Sequence, residues 1–186
     1  NAVYAAMVAS VDRSAGRVID ALDRLGLRES TLVIFTSDNG GLLGPTSNAP
    51  LRSGKGYPYE GGIRVPLIVN WPGAIPPKES STPAISMDLP LTILEACNVP
   101  APEDRPLDGV SLLDLARTGG RAQLSARPLV WHFPHYRQQD VGPYSVLRDD
   151  GLKLIKRYDG PTFELFDLNA DPYEKNDLAS ARPDDV

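Results

Sequence analysis

Thr31-Leu32-Val33-Ile34-Phe35-Thr36-Ser37-Asp38-Asn39-Gly40-Gly41 is the stretch on which the architecture turns. Its first six residues form a short, β-rich apolar run, the pattern of a strand buried on both faces of a parallel sheet. The next five are turn formers, so the strand delivers a carboxylate and an amide at its C-terminal end. Open α/β sheets bind their ligands there. Upstream, Val3, Met7, Val11, Val18, Leu22 and Leu25 recur at helical spacing, with Ala15 filling the gap. This predicts an amphipathic helix over residues 2–25, stopped by Gly26. A helix feeding a central strand is an α/β signature.

Downstream, a polar Gly/Pro-rich stretch runs to Gly62 and reads as a long loop, a class of segment that is usually functional inside a compact domain. Val65 to Asn70 reads as a second buried strand closed by Trp71-Pro72-Gly73. Asp88-Leu89-Pro90 opens a helix through Ala96, with proline in its first turn. A further short helix is expected around Ser111 to Ala116. From Leu129 the period shortens to strands at Leu129–Phe133, Tyr144–Arg148, Leu152–Tyr158 and Phe163–Asp167. Asp149-Asp150-Gly151 and Asp159-Gly160-Pro161 supply the hairpin turns. The organisation expected is an α/β portion over 1–124 and a small antiparallel β subdomain over 125–186, with a charged, poorly packed tail from Asp171.

Composition narrows the function. The 186 residues carry 19 Lys plus Arg against 24 Asp plus Glu, a formal charge of −5, and no apolar run reaches the roughly 20 residues of a membrane span. The acidic excess gathers in residues 167–186, and no basic face exists to displace counterions from DNA or RNA. Neither a nucleic acid nor a membrane is an expected partner. The single cysteine, Cys97, excludes an internal disulfide and a multi-thiolate zinc site. It reads as a core thiol. The chain opens on Asn1 and is at once helical in pattern, which suggests a piece of something longer.

Asp38 and Asn39 offer a hard anionic oxygen and a neutral carbonyl oxygen, the ligand types of Ca²⁺ or Mg²⁺. Two such groups do not fill a site of six to eight oxygens, and Asp-Asn-Gly is also an ordinary turn sequence. Lys55, in Gly54-Lys55-Gly56, sits where the backbone can approach a ligand closely while the ammonium meets an oxyanion. Simple solvation is the alternative. Glu60 and Arg64 are spaced to pair and brace the loop. His132 and His135 lie in Trp131-His132-Phe133-Pro134-His135-Tyr136-Arg137. They read either as packed, hydrogen-bonded side chains or, with Tyr136 or Arg137, as groups reaching toward a leaving group. Asp12 belongs to the solvated side of its helix.

Four segments in order resemble the sulfatase family of the alkaline-phosphatase-like superfamily. They are Thr36-Ser37-Asp38-Asn39-Gly40, Asn48-Ala49-Pro50-Leu51-Arg52-Ser53-Gly54-Lys55-Gly56, Tyr59-Glu60-Gly61-Gly62-Ile63-Arg64-Val65-Pro66, and Asp149-Asp150-Gly151-Leu152-Lys153-Leu154-Ile155 with Glu164 through Glu174. The resemblance implies the C-terminal part of an alkaline-phosphatase-like sheet domain followed by a small antiparallel β subdomain. It implies a sulfuric ester hydrolase in which Asp38 and Asn39 are ligands of a divalent ion, usually Ca²⁺ with Mg²⁺ as the alternative, and Lys55 binds the sulfate. The implied substrate is a sulfate ester, with family habit favouring a carbohydrate and a periplasmic or secreted enzyme.

The family nucleophile is a formylglycine made within a Cys/Ser-x-Pro-x-Arg motif, which this sequence lacks. The Cys97 segment, Cys97-Asn98-Val99-Pro100, has its proline one position too late. The expectation is therefore a C-terminal sulfatase portion, inactive alone, that retains no metal by itself and self-associates through the surface meant for the missing N-terminal part. A non-catalytic anion-binding or structural module and a phosphate or phosphonate ester hydrolase are the alternatives.

Overall fold

The computed structural model describes residues 1–120, 124, 127–137, 141–160 and 162–186. Pro161 of the second predicted hairpin turn and residue 125, the expected start of the β subdomain, lie outside them. The chain divides into two compact units, Asn1–Thr36 with Pro66–Ala126 and Ser37–Val65 with Arg127–Val186. The long loop after the first strand thus finds its neighbours among the C-terminal strands.

In the first unit, helix α1 spans Ala2–Arg24, and the Asn1 side chain caps it by accepting from the Tyr4 backbone N–H at 3.2 Å. Strand β1, Val33–Thr36, pairs with β2, Leu67–Asn70, in antiparallel register with Val33 opposite Asn70. Two expectations change here. The strands run antiparallel, and neither is buried on both faces: Phe35 and Ile68 are 43% and 56% exposed. The apolar stripe of α1 is likewise uncovered, with Val3, Met7, Val11 and Val18 all exposed. Local pattern set the elements; burial needs a second layer, and among the described residues none covers these faces.

Helices α3, Asp88–Ala96, and α4, Leu113–Arg117, complete the unit. The Leu112 N–H at the cap of α4 donates to Thr92 Oγ1 of α3 at 2.9 Å, and the carboxylate oxygens of buried Asp88 accept from the Ile85 and Val110 N–H groups, each at 2.9 Å. Leu112, Leu115 and Leu124 form a small core against Ala84, Leu89 and Val110. Cys97 is the exposed C-cap residue of α3, where the helix ends, and not a core thiol.

The second unit is built on a four-stranded antiparallel sheet in the order β3, Leu129–Phe133; β4, Tyr144–Asp149; β5, Leu152–Arg157; β6, Thr162–Asp167. All four strands fall where the sequence puts them, within a residue or so at each end. Alternation sends Trp131, Phe133, Tyr144, Val146, Ile155 and Phe166 to one face. That face packs against Tyr57, Tyr59 and Ile63 of the loop. The loop also holds a helical turn, α2, Glu60–Ile63, inside the segment read as irregular.

The tail after Asp171 is anchored instead of loosely packed. The Leu178 N–H donates to the Leu165 carbonyl at 2.8 Å, and the Asp177 carboxylate accepts from the Leu165 N–H at 3.0 Å. Against some desolvation, backbone N–H donors from Asn176 and Lys175 hold the Asp171 carboxyl below its ordinary range. Charge misleads as a sign of looseness here, because several of these carboxylates are spent on backbone N–H groups. Fully buried Glu174 is the extreme case.

Candidate active site

Backbone pairing draws the two candidate segments together. The Lys55 N–H donates to the Gly41 carbonyl at 3.0 Å, and the Gly40 N–H donates to the Gly62 carbonyl at 2.9 Å. Asn48 closes the junction. Its Oδ1 accepts from the Gly41 N–H at 2.8 Å, while Nδ2 donates to the carbonyls of Gly41 and Ser53 at 2.8 and 3.0 Å. Lys55 is therefore hydrogen-bonded two residues beyond Asn39. Asp38 and Lys55 are exposed, and Asn39 is half-buried.

The glycines flanking Lys55 each have a steric cause. A Cβ at Gly54 would strike the Gly41 carbonyl and come within 2.6 Å of Asn48 Nδ2. Gly56 has φ +85°, and a Cβ there would collide with the guanidinium of Arg137, whose Cζ would be 2.7 Å away. The Gly54 contacts lie within the loop and the Gly56 contact reaches across to a residue remote in the chain, so sequence reading found the glycines without their reasons.

The loop rests on a buried ionic cluster that sequence reasoning missed. Lys153 Nζ donates to Glu60 Oε1 at 3.0 Å and lies 2.8 Å from Glu174 Oε1; no more than 3% of any of the three residues is exposed. Glu174 Oε2 also accepts from the Glu60 N–H at 2.7 Å. One ammonium does not balance two carboxylates in low dielectric. Burial accordingly raises the Glu174 pKa, and the attraction of Lys153 and the Glu60 N–H opposes the rise only in part. Arg64 pairs with Glu60 as expected, at 3.9 Å, but as the outer and weaker partner.

A second set fixes the loop laterally. Arg52 stacks 3.7 Å over the Tyr59 ring and donates to the Glu174 carbonyl at 2.9 Å. Tyr59 Oη donates to Glu164 Oε2 at 2.7 Å and accepts from Arg157 at 3.0 Å. Burial foremost, then Glu164, pushes the Tyr59 phenol up, with Arg157 opposing.

The histidines part ways. His132 alternates onto the sheet face opposite Trp131 and Phe133, where Nδ1 lies 2.8 Å from Ser145 Oγ and the ring meets Tyr158 edge-on. The sheet thus does not bring it together with Lys55. Exposed His135 packs edge-on against Phe133, and Tyr136 Oη donates to Asp159 Oδ1 at 2.7 Å. Arg137 is the member of this segment that reaches the Lys55 loop.

Asp38 and Asn39 suit part of a hard-cation site. Asn39 Nδ2 is committed to the Gly40 carbonyl at 2.9 Å, which assigns the amide oxygen as its acceptor end. No group of three or more His, Cys, Asp or Glu residues able to hold a metal exists among the described residues. The donor types of the pair suit Ca²⁺ or Mg²⁺ as contributors to a set that the described residues do not complete.

Two family models match, Sulfatase over residues 2–99 and N-sulphoglucosamine sulphohydrolase, C-terminal, over 54–184. A sulfatase of Formosa agariphila is 38% identical across 97% of this chain, and mouse steryl-sulfatase 40% across 70%. The alignments cover 36% and 22% of those proteins. Among solved structures, Ps i-CgsB superposes with a TM-score of 0.83 at 29% identity, over 95% of this chain and 38% of that one. BT4656, in complex with its substrate D-glucosamine-2-N,6-O-disulfate, gives 0.72 at 25% identity over 96% of this chain and 37% of that one. The chain thus spans well under half the length of the proteins it matches. On sequence and on fold alike, it belongs to the sulfatase family.

Proposed function

We propose that this chain is the C-terminal part of a sulfuric ester hydrolase, in which it supplies two divalent-metal ligands, Asp38 and Asn39, and a sulfate-binding lysine, Lys55. The observation that supports the reading is the Lys55 N–H bond to the Gly41 carbonyl, which ties the backbone of an exposed lysine to the residue two positions after Asn39. A divalent cation bound there supplies charge neutralisation to the sulfuryl oxygens. Lys55 holds one of those oxygens and offsets the charge that shifts toward the leaving group. His135, exposed in the segment that carries Arg137, stands toward the leaving group; His132, turned to the other face, serves packing.

The chain's share of its relatives' length and the uncovered apolar face of α1 support the view that an N-terminal part completes the enzyme. The substrate class is a sulfated carbohydrate, in keeping with the disulfated glucosamine bound by BT4656. A second reading, phosphonate ester hydrolysis, has one observation in its favour: the phosphonate monoester hydrolase of Silicibacter pomeroyi superposes with a TM-score of 0.75 at 26% identity.

The test is steady-state hydrolysis by the full-length protein of an aryl sulfate and of an aryl phosphonate monoester, with and without Ca²⁺. Preferential, Ca²⁺-dependent turnover of the sulfate is expected. Faster turnover of the phosphonate sinks the sulfatase reading.

A further inference from the structure

We propose that Arg137 forms, beside Lys55, a subsite for a second oxyanion on the same substrate, a sulfate or carboxylate separate from the ester that reacts; this rests on the sulfate-site reading of Lys55. Arg137 differs from four other arginines of this chain in how its charge is met, and shares with Arg148 a buried guanidinium nitrogen without a hydrogen-bond partner. Arg52, Arg157, Arg64 and Arg182 each pair with a carboxylate of this chain. No carboxylate among the described residues pairs with Arg137, and within this half-buried residue the Nη1 atom is buried without a hydrogen-bond partner. A guanidinium left uncompensated where water is partly excluded is costly, and its planar fork matches a sulfate or carboxylate.

Its position is fixed. The Arg137 N–H donates to the Val141 carbonyl at 2.9 Å, and the guanidinium lies on the bare Cα of Gly56, the residue after Lys55. Tyr144 Oη donates to the Gly56 carbonyl at 3.3 Å from the same side. The charge of Arg137 is felt there, opposing the burial that pushes the Tyr144 phenol up. The Arg137 guanidinium thus lies on the glycine that follows Lys55, an arrangement suited to a substrate with two anionic groups on one sugar.

Calorimetric titration of the full-length protein with N-acetylglucosamine 6-sulfate, glucosamine 2-N,6-O-disulfate and a 2-sulfated uronic acid tests this and identifies the second anion. The wild type should bind one of the two dianions at least about tenfold more tightly than the monosulfate, the worth of one charge-assisted hydrogen bond. Arg137→Ala should abolish that ratio and Arg137→Lys restore part of it, with melting temperatures confirming that both fold. No dianion preference in the wild type, or the same preference in folded Arg137→Ala, overturns the subsite. Lys55→Ala should weaken all three ligands. If the wild type binds none of them, the sulfate-site reading itself fails, which is distinct from loss of the preference alone.

Discussion

Lys55 stands exposed between two glycines that contacts elsewhere in the fold require, so its ammonium is presented by a rigid backbone and not by a floppy loop. In the full-length protein, Lys55→Ala should lower kcat/KM for an aryl sulfate by about 10² to 10³, the usual cost of deleting one donor to developing charge. An unchanged kcat/KM would remove Lys55 from the reaction. Glu174 carries a different prediction, set by burial. Its raised pKa means that the folded protein binds a proton there more tightly than the unfolded chain does. That contribution to stability is complete below the ordinary carboxyl pKa and is lost as pH rises through the raised one. Relative to Glu174→Gln, the wild type should therefore gain stability as pH falls from 7 toward 5, read by denaturant unfolding at each pH. A constant difference would mean that Lys153 holds the carboxylate ionised throughout.

Strand β5 and the loop over residues 52–64 depend on each other through the cluster of Lys153, Glu60 and Glu174. Lys153→Met should destabilise the chain by about 3–5 kcal/mol, because it leaves buried Glu174 without a cation and Glu60 with only the outer Arg64. The triple change Glu60→Gln, Lys153→Met, Glu174→Gln should recover part of the loss. Unfolding curves that show the triple variant weaker than the single one would contradict this account. At Gly56, the positive φ and the contact with Arg137 act together, so Gly56→Ala should cost about 1–3 kcal/mol. The cluster was not legible beforehand. In Leu152-Lys153-Leu154-Ile155 both parities carry aliphatic residues, so alternation does not tell which face is the core. Only packing of Ile155 and Phe166 against the loop turns Lys153 inward.

For the molecule as a whole, the decisive feature is apolar surface without a covering layer. Val3, Met7, Val11 and Val18 form one exposed stripe, and Phe35 and Ile68 another on paired strands. Patches of this kind mark interaction surfaces. The 186-residue chain alone should associate, giving at least a dimer in sedimentation at micromolar concentration, and should turn over no aryl sulfate. Calcium titration of the same material should give a Kd weaker than about 1 mM, since two protein oxygens organise the ion poorly. A compact, active monomer would contradict the proposal that an N-terminal part completes it.

What the sequence determined by itself is whatever depends on local pattern: helix α1, the positions of the six strands among the described residues, the turn at Asp149-Asp150-Gly151, and the motifs that carry the family resemblance. Period, turn chemistry and order in the chain are properties of neighbouring residues, and they survive in a single sequence. Tertiary structure alone decided which faces were buried, that β1 and β2 run antiparallel, that Glu174 is a core residue, and that Arg137 meets Gly56. Each of these sets residues remote in the chain against one another. The free energy of such a contact, whether a desolvated charge or a forbidden Cβ, exists only once both partners are in place.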